Sequence, residues 1–148
     1  MYRWVLIAHG AWRWVVIIAG VAAIAGALQG LRRQKPWAPT SARLGRLFGI
    51  AVDIQVLMGA VLYVVLSPLT AGGLRAPIVA TSPSEVRFFV IEHISIMVLT
   101  LLAVHLSAVI IRKGRGDAAR QRRAVVCYGL TLLILLSGIP WWRPWLRW

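Results

Sequence analysis

The chain has 148 residues, of which 59% are hydrophobic and only 14% are charged, and its mean hydropathy is +0.75. A soluble domain is nearer half apolar and about a quarter charged. The apolar residues form continuous blocks of about the 20 residues that a helix needs to cross a bilayer, unlike the short alternating segments of a transmembrane barrel. The sequence therefore predicts an all-α integral membrane protein, a four-helix transmembrane bundle with short loops that occupies residues 1–148 as a single domain.

Four apolar blocks predict the membrane spans in chain order. The first is interrupted by His9 and Arg13, the second contains Asp53, and the third carries His93 and His105. Ser67-Pro68 predicts the end of the second span, because the residue before a proline disfavours the helical conformation. Ser82 or Ser84 is expected to cap the third helix. The tryptophan-rich tail at 141–148 is expected to lie at the headgroup level. The predicted spans are residues 4–28, 47–66, 87–111 and 124–139.

The net charge of +13 would suggest nucleic acid in a soluble protein, but here it indicates membrane topology. Two loops, 30–46 and 112–123, hold 11 of the 17 lysines and arginines. Basic residues concentrate in cytoplasmic loops, where they also contact anionic lipids. We therefore expect both of these loops in the cytoplasm and both termini on the outer, periplasmic side of a bacterial cell inner membrane.

Ionisable side chains within the spans are the candidates for function. Each costs roughly 2.5–3.5 kcal/mol to insert into a bilayer, so it is kept where the bundle supplies a partner. His9 lies about five residues into the first span and His93 about six into the third, and both spans start on the outer side. At 1.5 Å per residue the two imidazoles are at about the same depth, roughly 8 Å in. Two histidines at one level on parallel helices suit the axial ligands of a b-type haem iron.

Two arginines are candidate partners for the propionates of such a haem. Arg13 is four residues after His9 on the same helical face, and Arg87 lies near the outer end of the third span. Glu92 cannot point the same way as His93, and it is expected to pair with Arg13 or Arg87 or to face the outer water layer. The alternative for both arginines is that they extend to lipid headgroups.

A second polar pair is expected deeper in the bundle. His105 is twelve residues beyond His93, which places it about 18 Å deeper and roughly 120° away around the helix. Asp53 lies at the same depth on the second span, so a buried hydrogen bond between these two residues is expected. For each intramembrane histidine the alternative is a hydrogen-bonded packing role without a ligand.

The chain resembles small four-helix bacterial membrane proteins that are labelled cytochrome b-like. The resemblance rests on HGAWRW at residues 9–14, QVLMG at 55–59, RFFVIEH at 87–93 and GIPW at 138–141, and it covers nearly the whole chain. It implies haem-linked electron transfer with His9 and His93 as outer ligands. In that family a histidine stands where this chain has Asp53, which implies at most one haem here and another role for His105.

Three functional hypotheses follow. The first is a membrane-bound b-type cytochrome, a subunit of a larger redox complex that relays electrons between a quinol and an outer partner, with no catalytic residues of its own. The second is an accessory subunit of a respiratory or photosynthetic complex, with no cofactor or with a chlorophyll held by a histidine. The third is a small transporter or proton carrier that uses Asp53 and His105.

Overall fold

The computed structural model describes residues 1–68, 70 and 84–143, and every regular element among them is a helix. Ser82, Arg75 and the end of the aromatic tail, residues 144–148, lie outside the described residues. There are four long helices in this part of the chain: α1 (Tyr2–Arg32), α2 (Pro39–Leu66), α3 (Glu85–Arg112) and α4 (Asp117–Ser137). Three of them, α1 to α3, are long and apolar enough to cross a membrane.

The helices extend beyond the predicted spans at their polar ends. Helix α2 begins at Pro39, eight residues before the predicted start, because proline is well suited to the first helical position. Helix α4 begins at Asp117, seven residues early, with Gly116 before it at a φ of 89°. The predicted basic loops 30–46 and 112–123 are therefore partly helical, and hydropathy located the apolar stretches rather than the helix ends. The predicted stop at Ser67 is confirmed, since α2 ends at Leu66.

Two helices contain π-helical stretches, in which each N–H bonds to the carbonyl five residues earlier. One is the last part of α2, Leu62–Leu66, where the N–H of Ser67 donates to the Leu62 carbonyl at 2.8 Å. The other is Phe88–His93 in α3, which follows a single α-helical turn, Ser84–Arg87, and precedes the α-helical Ile94–Arg112. Such wide turns are rare and are frequently found at functional sites.

The bundle is a ring of four helices in chain order. Helix α1 packs extensively against α2 and α4, and α3 packs extensively against α4, whereas the seam between α2 and α3 is the thinnest. Small residues allow this close approach on α1, since a Cβ added at Gly20 would lie 3.0 Å from the ring of Phe48 and one at Gly26 would lie 2.9 Å from Leu44. Phe48 is fully buried and meets Tyr128 edge to face at 5.8 Å. Because the four helices form a ring in chain order, α1 and α3 lie diagonally across the bundle core.

Three polar contacts join neighbouring helices within the described part of the bundle. The indole of Trp12 on α1 donates to the Ala51 carbonyl of α2 at 3.0 Å. The amide of Gln121, which is 1% exposed, donates to the Lys35 carbonyl at 2.7 Å. Ser107 and Thr131 share a buried hydrogen bond between α3 and α4. These bonds set the relative depth of the helices, because the apolar contacts around them are non-directional.

Replacing Gly45 with alanine is expected to destabilise the bundle by about 1–3 kcal/mol, the usual cost of overpacking. A Cβ at Gly45 would overlap the hydroxyl and the ring of Tyr128, and Tyr128 is itself confined against Phe48. The midpoint of thermal unfolding in detergent, followed by circular dichroism, measures the change. Gly129→Ala on α4 is the matched control, since a Cβ there meets no atom within 4 Å. Equal midpoints for the two variants would contradict this account of the packing.

Candidate functional site

The imidazoles of His9 on α1 and His93 on α3 meet across the bundle core. Their ring centroids are 6.3 Å apart and their planes make an angle of 75°. His93 is the last residue of the π-helical stretch in α3, and the rings of Phe88 and Phe89 lie beside it at 5.9 and 5.7 Å. The structure thus brings together His9 and His93, which the sequence placed at the same depth, and both rings face the inside of the bundle.

His93 is oriented by a backbone carbonyl. Its Nδ1 lies 2.8 Å from the oxygen of Gly138, at the end of α4. A carbonyl oxygen can only accept, so Nδ1 carries the hydrogen, and in the neutral ring Nε2 holds the lone pair. Among the described residues Nε2 has no hydrogen-bond partner. A buried acceptor that fixes the tautomer of a histidine is the usual support of a metal-binding imidazole.

His9 is oriented by the side-chain amide of Gln55, which is 6% exposed. The Gln55 Nε2 lies 3.1 Å from the His9 carbonyl oxygen and 3.2 Å from the ring Nε2. Because the carbonyl requires a donor, the nitrogen of the amide must face it, and the ring Nε2 must therefore accept from the same NH2 group. In the neutral His9 ring the hydrogen is consequently on Nδ1.

Two buried polar atoms remain at this point without a hydrogen-bond partner in the described part of the chain. They are Nδ1 of His9 and Oε1 of Gln55. Buried polar groups are nearly always paired, so such atoms require an explanation such as a bound water, an ion or another ligand. The histidine pair thus has one hydrogen-bond donor and one acceptor beside it that no described side chain or backbone group engages.

Gly59 on α2 makes room for His9. A Cβ at this position would lie 3.1 Å from the His9 Cε1. A side chain at this position would require the imidazole to shift by a few tenths of an ångström, and Gly59 belongs to the QVLMG segment noted in the sequence. Its role at the site is therefore steric.

Two cavities of about 120 and 230 Å³ adjoin the histidine pair. The smaller extends toward α4 and is lined by Leu135, Ile139 and Pro140. The larger extends toward the end of α2 and is lined by Leu62, Tyr63 and Thr70. Their shared lining is Leu6, His9, Gln55, Phe89, His93, Met97 and Arg143. The two imidazoles consequently lie between a pair of mainly apolar lobes.

Two arginines of the described residues line the cavities, Arg13 and Arg143. Arg13 lines the smaller cavity, and its guanidinium lies 5.6 Å from the ring centroid of Trp14. Arg143 lines both cavities, contacts Glu85 through Nε at 2.7 Å and Nη2 at 2.5 Å, and stacks on Phe89 at 4.3 Å. Arg143 was not predicted as a site residue, because its position depends on the turn that the chain makes after α4. The GIPW segment at 138–141 was the signal for that turn.

Arg87 does not line either cavity. Its Nε lies 3.2 Å from Glu92 Oε1, and both side chains are about half exposed. The pairing expected for Glu92 is therefore made with Arg87, at the surface, while the position facing the histidines is taken by Arg143.

Asp53 and His105 form the expected hydrogen bond, but the pair is not buried. Asp53 Oδ1 lies 2.8 Å from His105 Nε2, and the side chains are 44% and 60% exposed. They lie on the surface of the bundle, where α2 meets α3, and away from both cavities. The expectation of burial was wrong, since matched depth does not specify which way a side chain faces around its helix axis.

Comparison of the chain with known protein families, with curated proteins and with solved structures finds no match. Within the described ranges no group of three or more histidine, cysteine, aspartate or glutamate side chains is placed to hold a metal ion. The chemistry of the site must therefore be argued from the histidine pair and its surroundings.

The Glu85–Arg143 contact is expected to hold the segment after α4 against the site. Glu85→Gln removes a charge-assisted bond, and because Glu85 is 43% exposed we expect a loss of about 1 kcal/mol, or roughly fivefold in local opening. Hydrogen exchange of the amides at 138–143 measures it. Glu92→Gln is the control, as its partner Arg87 is exposed and outside the cavities. Similar exchange at 138–143 in both variants would show that the Glu85 contact does not hold this segment.

Proposed function

We propose that this chain is a membrane-bound b-type cytochrome that carries electrons, with one haem held between His9 and His93. The observation that carries the proposal is the pair of imidazoles meeting at 6.3 Å across the bundle core, with a cavity on either side. Haem iron takes two axial imidazoles, and its macrocycle lies between helices.

The spacing of the rings is compatible with one shared metal ion. A metal–imidazole bond is about 2 Å long, so two rings that bind the same ion have centroids roughly 6 Å apart. His93 offers Nε2 while its Nδ1–H is held by Gly138. His9 would offer Nε2 once the Gln55 amide leaves that nitrogen, and Gln55 then keeps its bond to the His9 carbonyl.

The surroundings of the pair also suit a porphyrin. The two lobes together reach the lower end of the roughly 300–1,000 Å³ that small-molecule and cofactor sites occupy. Their walls are mainly apolar, and Arg13 and Arg143 supply positive charge for the propionates. When bound, the haem would supply one-electron redox chemistry, while the chain would orient it and exclude water from it.

The membrane arrangement that goes with this function is part of the proposal. Helix α4 carries Asp117, Arg120, Arg122 and Arg123 in its first seven positions and is apolar from Ala124 onward, so we infer that this apolar part is the fourth crossing. The excess of basic residues favours a cytoplasmic location for the ends of the helices near 30–46 and 112–123, in a bacterial inner membrane. The histidine pair then lies near the periplasmic face, where the haem would exchange electrons with a quinol or an outer redox partner in a larger complex.

The test is a dithionite-reduced minus oxidised spectrum of protein purified from haem-sufficient cells. We expect an α-band from the wild type and at least a tenfold loss of haem in His9→Ala and in His93→Ala, since each removes an axial ligand. His105→Ala is the matched control and should keep the band, because His105 lies outside both cavities. Circular dichroism verifies that each variant is folded.

Absence of an α-band from the wild type would remove the haem assignment. If pigment extraction then gave a chlorophyll, a histidine would serve as a magnesium ligand instead. If no chromophore were extracted, the accessory-subunit hypothesis would replace the cytochrome. Loss of the band in His105→Ala as well as in His93→Ala would contradict the assignment of the ligands.

The arginine assignments predict a shift of redox potential. Positive charge near the haem favours the reduced state, so Arg143→Gln and Arg13→Gln should each lower the midpoint potential by tens of millivolts. Arg87→Gln should leave the potential unchanged, because Arg87 is exposed at the surface and lines neither cavity. A redox titration of the α-band measures all three. A shift in Arg87→Gln equal to that of Arg143→Gln would contradict the assignment of Arg143 to the site.

A further inference from the structure

The Asp53–His105 pair is an unusual feature of the bundle surface. Asp53 lies six residues after Leu47, and His105 lies six residues before Ile111, so both are roughly 9 Å inside the apolar part of their helices. Both side chains are nevertheless about half exposed on the isolated chain. Around them the surface is apolar, with Ile50 and Leu102 exposed on either side of the seam.

Lipid is a poor neighbour for these groups. Ionisable side chains within a membrane almost always face protein or a water-filled cavity. The bond between Asp53 Oδ1 and His105 Nε2 leaves Asp53 Oδ2 and His105 Nδ1 without a hydrogen-bond partner among the described residues. A carboxylate only accepts, so Nε2 of His105 carries a hydrogen in this bond, and a ring with a hydrogen on both nitrogens also donates from Nδ1. With the ring protonated, the pair therefore presents one acceptor and one donor to its surroundings.

A second copy of the chain supplies the complementary groups. Asp53 and His105 lie at the same depth in the membrane, because they are hydrogen-bonded to each other. A two-fold axis along the membrane normal places Asp53 and His105 of the second copy at that depth as well. The axis brings His105 of each copy to Asp53 of the other, so carboxylate and imidazole groups alternate around the axis. Such an interface is isologous, with the same patch on both subunits.

Gly49 provides room for this approach. It lies one turn before Asp53 on the same face of α2, and a Cβ there would meet no atom of the described chain within 4 Å. Packing within the chain therefore does not require a glycine at this position. In membranes, glycine at a helix surface lets the backbone of a neighbouring helix come close.

We propose that this chain forms a symmetric dimer through the α2–α3 seam, in which His105 of each copy pairs with Asp53 of the other and Gly49 lies at the contact. The proposal rests on the membrane location of α2 and α3 and is independent of haem. Its readout is the number of subunits, so its failure is separate from a failure of the cytochrome assignment.

The experiment is subunit counting by single-molecule photobleaching of the full chain in liposomes over a series of protein-to-lipid ratios. We expect wild-type dimers that persist on dilution and at least a tenfold weaker association in Gly49→Leu. Gly129→Leu is the matched control, since Gly129 on α4 is equally open and lies away from the seam. It should dimerise like the wild type.

A mixing experiment separates pairing between copies from pairing within one copy. Asp53→His alone and His105→Asp alone place like groups at both positions of a subunit, so neither variant should form homodimers. Mixed together, they recover both contacts between copies while the bond within each copy stays lost. We therefore expect dimers of mixed composition, counted with a different dye on each variant.

Three outcomes would overturn the proposal. The wild type could be monomeric at every protein-to-lipid ratio. Gly49→Leu could dimerise as well as Gly129→Leu, which would place the contact on another face. The mixed variants could fail to associate although each is folded by circular dichroism, which would make the pair a bond within one chain or a contact with a different subunit. If the charge variants fail to fold, the comparison of Gly49→Leu with Gly129→Leu still decides.

Discussion

An imidazole inside an apolar bundle must find a polar partner on another helix, and this requirement organises the end of the bundle that contains His9 and His93. His9 on α1 takes the Gln55 amide from α2, and His93 on α3 takes the Gly138 carbonyl from α4. All four helices are thereby tied to one point. Apolar packing alone would not fix their relative depth, because dispersion contacts tolerate sliding of one helix along another.

The sequence predicted the fold well where hydropathy was the governing quantity. Four membrane spans were expected; the described residues form four long helices, of which three are long and apolar enough to cross a membrane, and α2 ends where Ser67-Pro68 predicted. The helix starts at Pro39 and Asp117 were missed, since hydropathy reports the apolar part of a helix and is insensitive to turns that continue into water. The π-helical stretches were also missed, because they depend on contacts between helices and have no periodicity of their own in so short a segment.

The candidate site was predictable where depth alone decides. Counting residues from the span ends brought His9 to His93 and Asp53 to His105, and both pairs are in contact. Depth does not give rotation about the helix axis, so the exposure of the second pair was not foreseen. Gln55 appeared in the sequence only as part of the QVLMG segment, whereas it orients His9 through two contacts. Arg143 lies beyond α4, and no count along a span could reach it.

The support of His93 by main chain has an evolutionary consequence. Gly138 presents its carbonyl to the ring, and a side chain added at Gly138 would come within 2.5–3.1 Å of Met97 and Ile96 on α3. Because the acceptor is a main-chain carbonyl, no single substitution exchanges it for another group, and it does not titrate. Evolution could change the basicity of His93 only by a shift of the turn at Pro140. The electronic properties of the imidazole therefore depend on the path of the backbone and not on the choice of a single side chain.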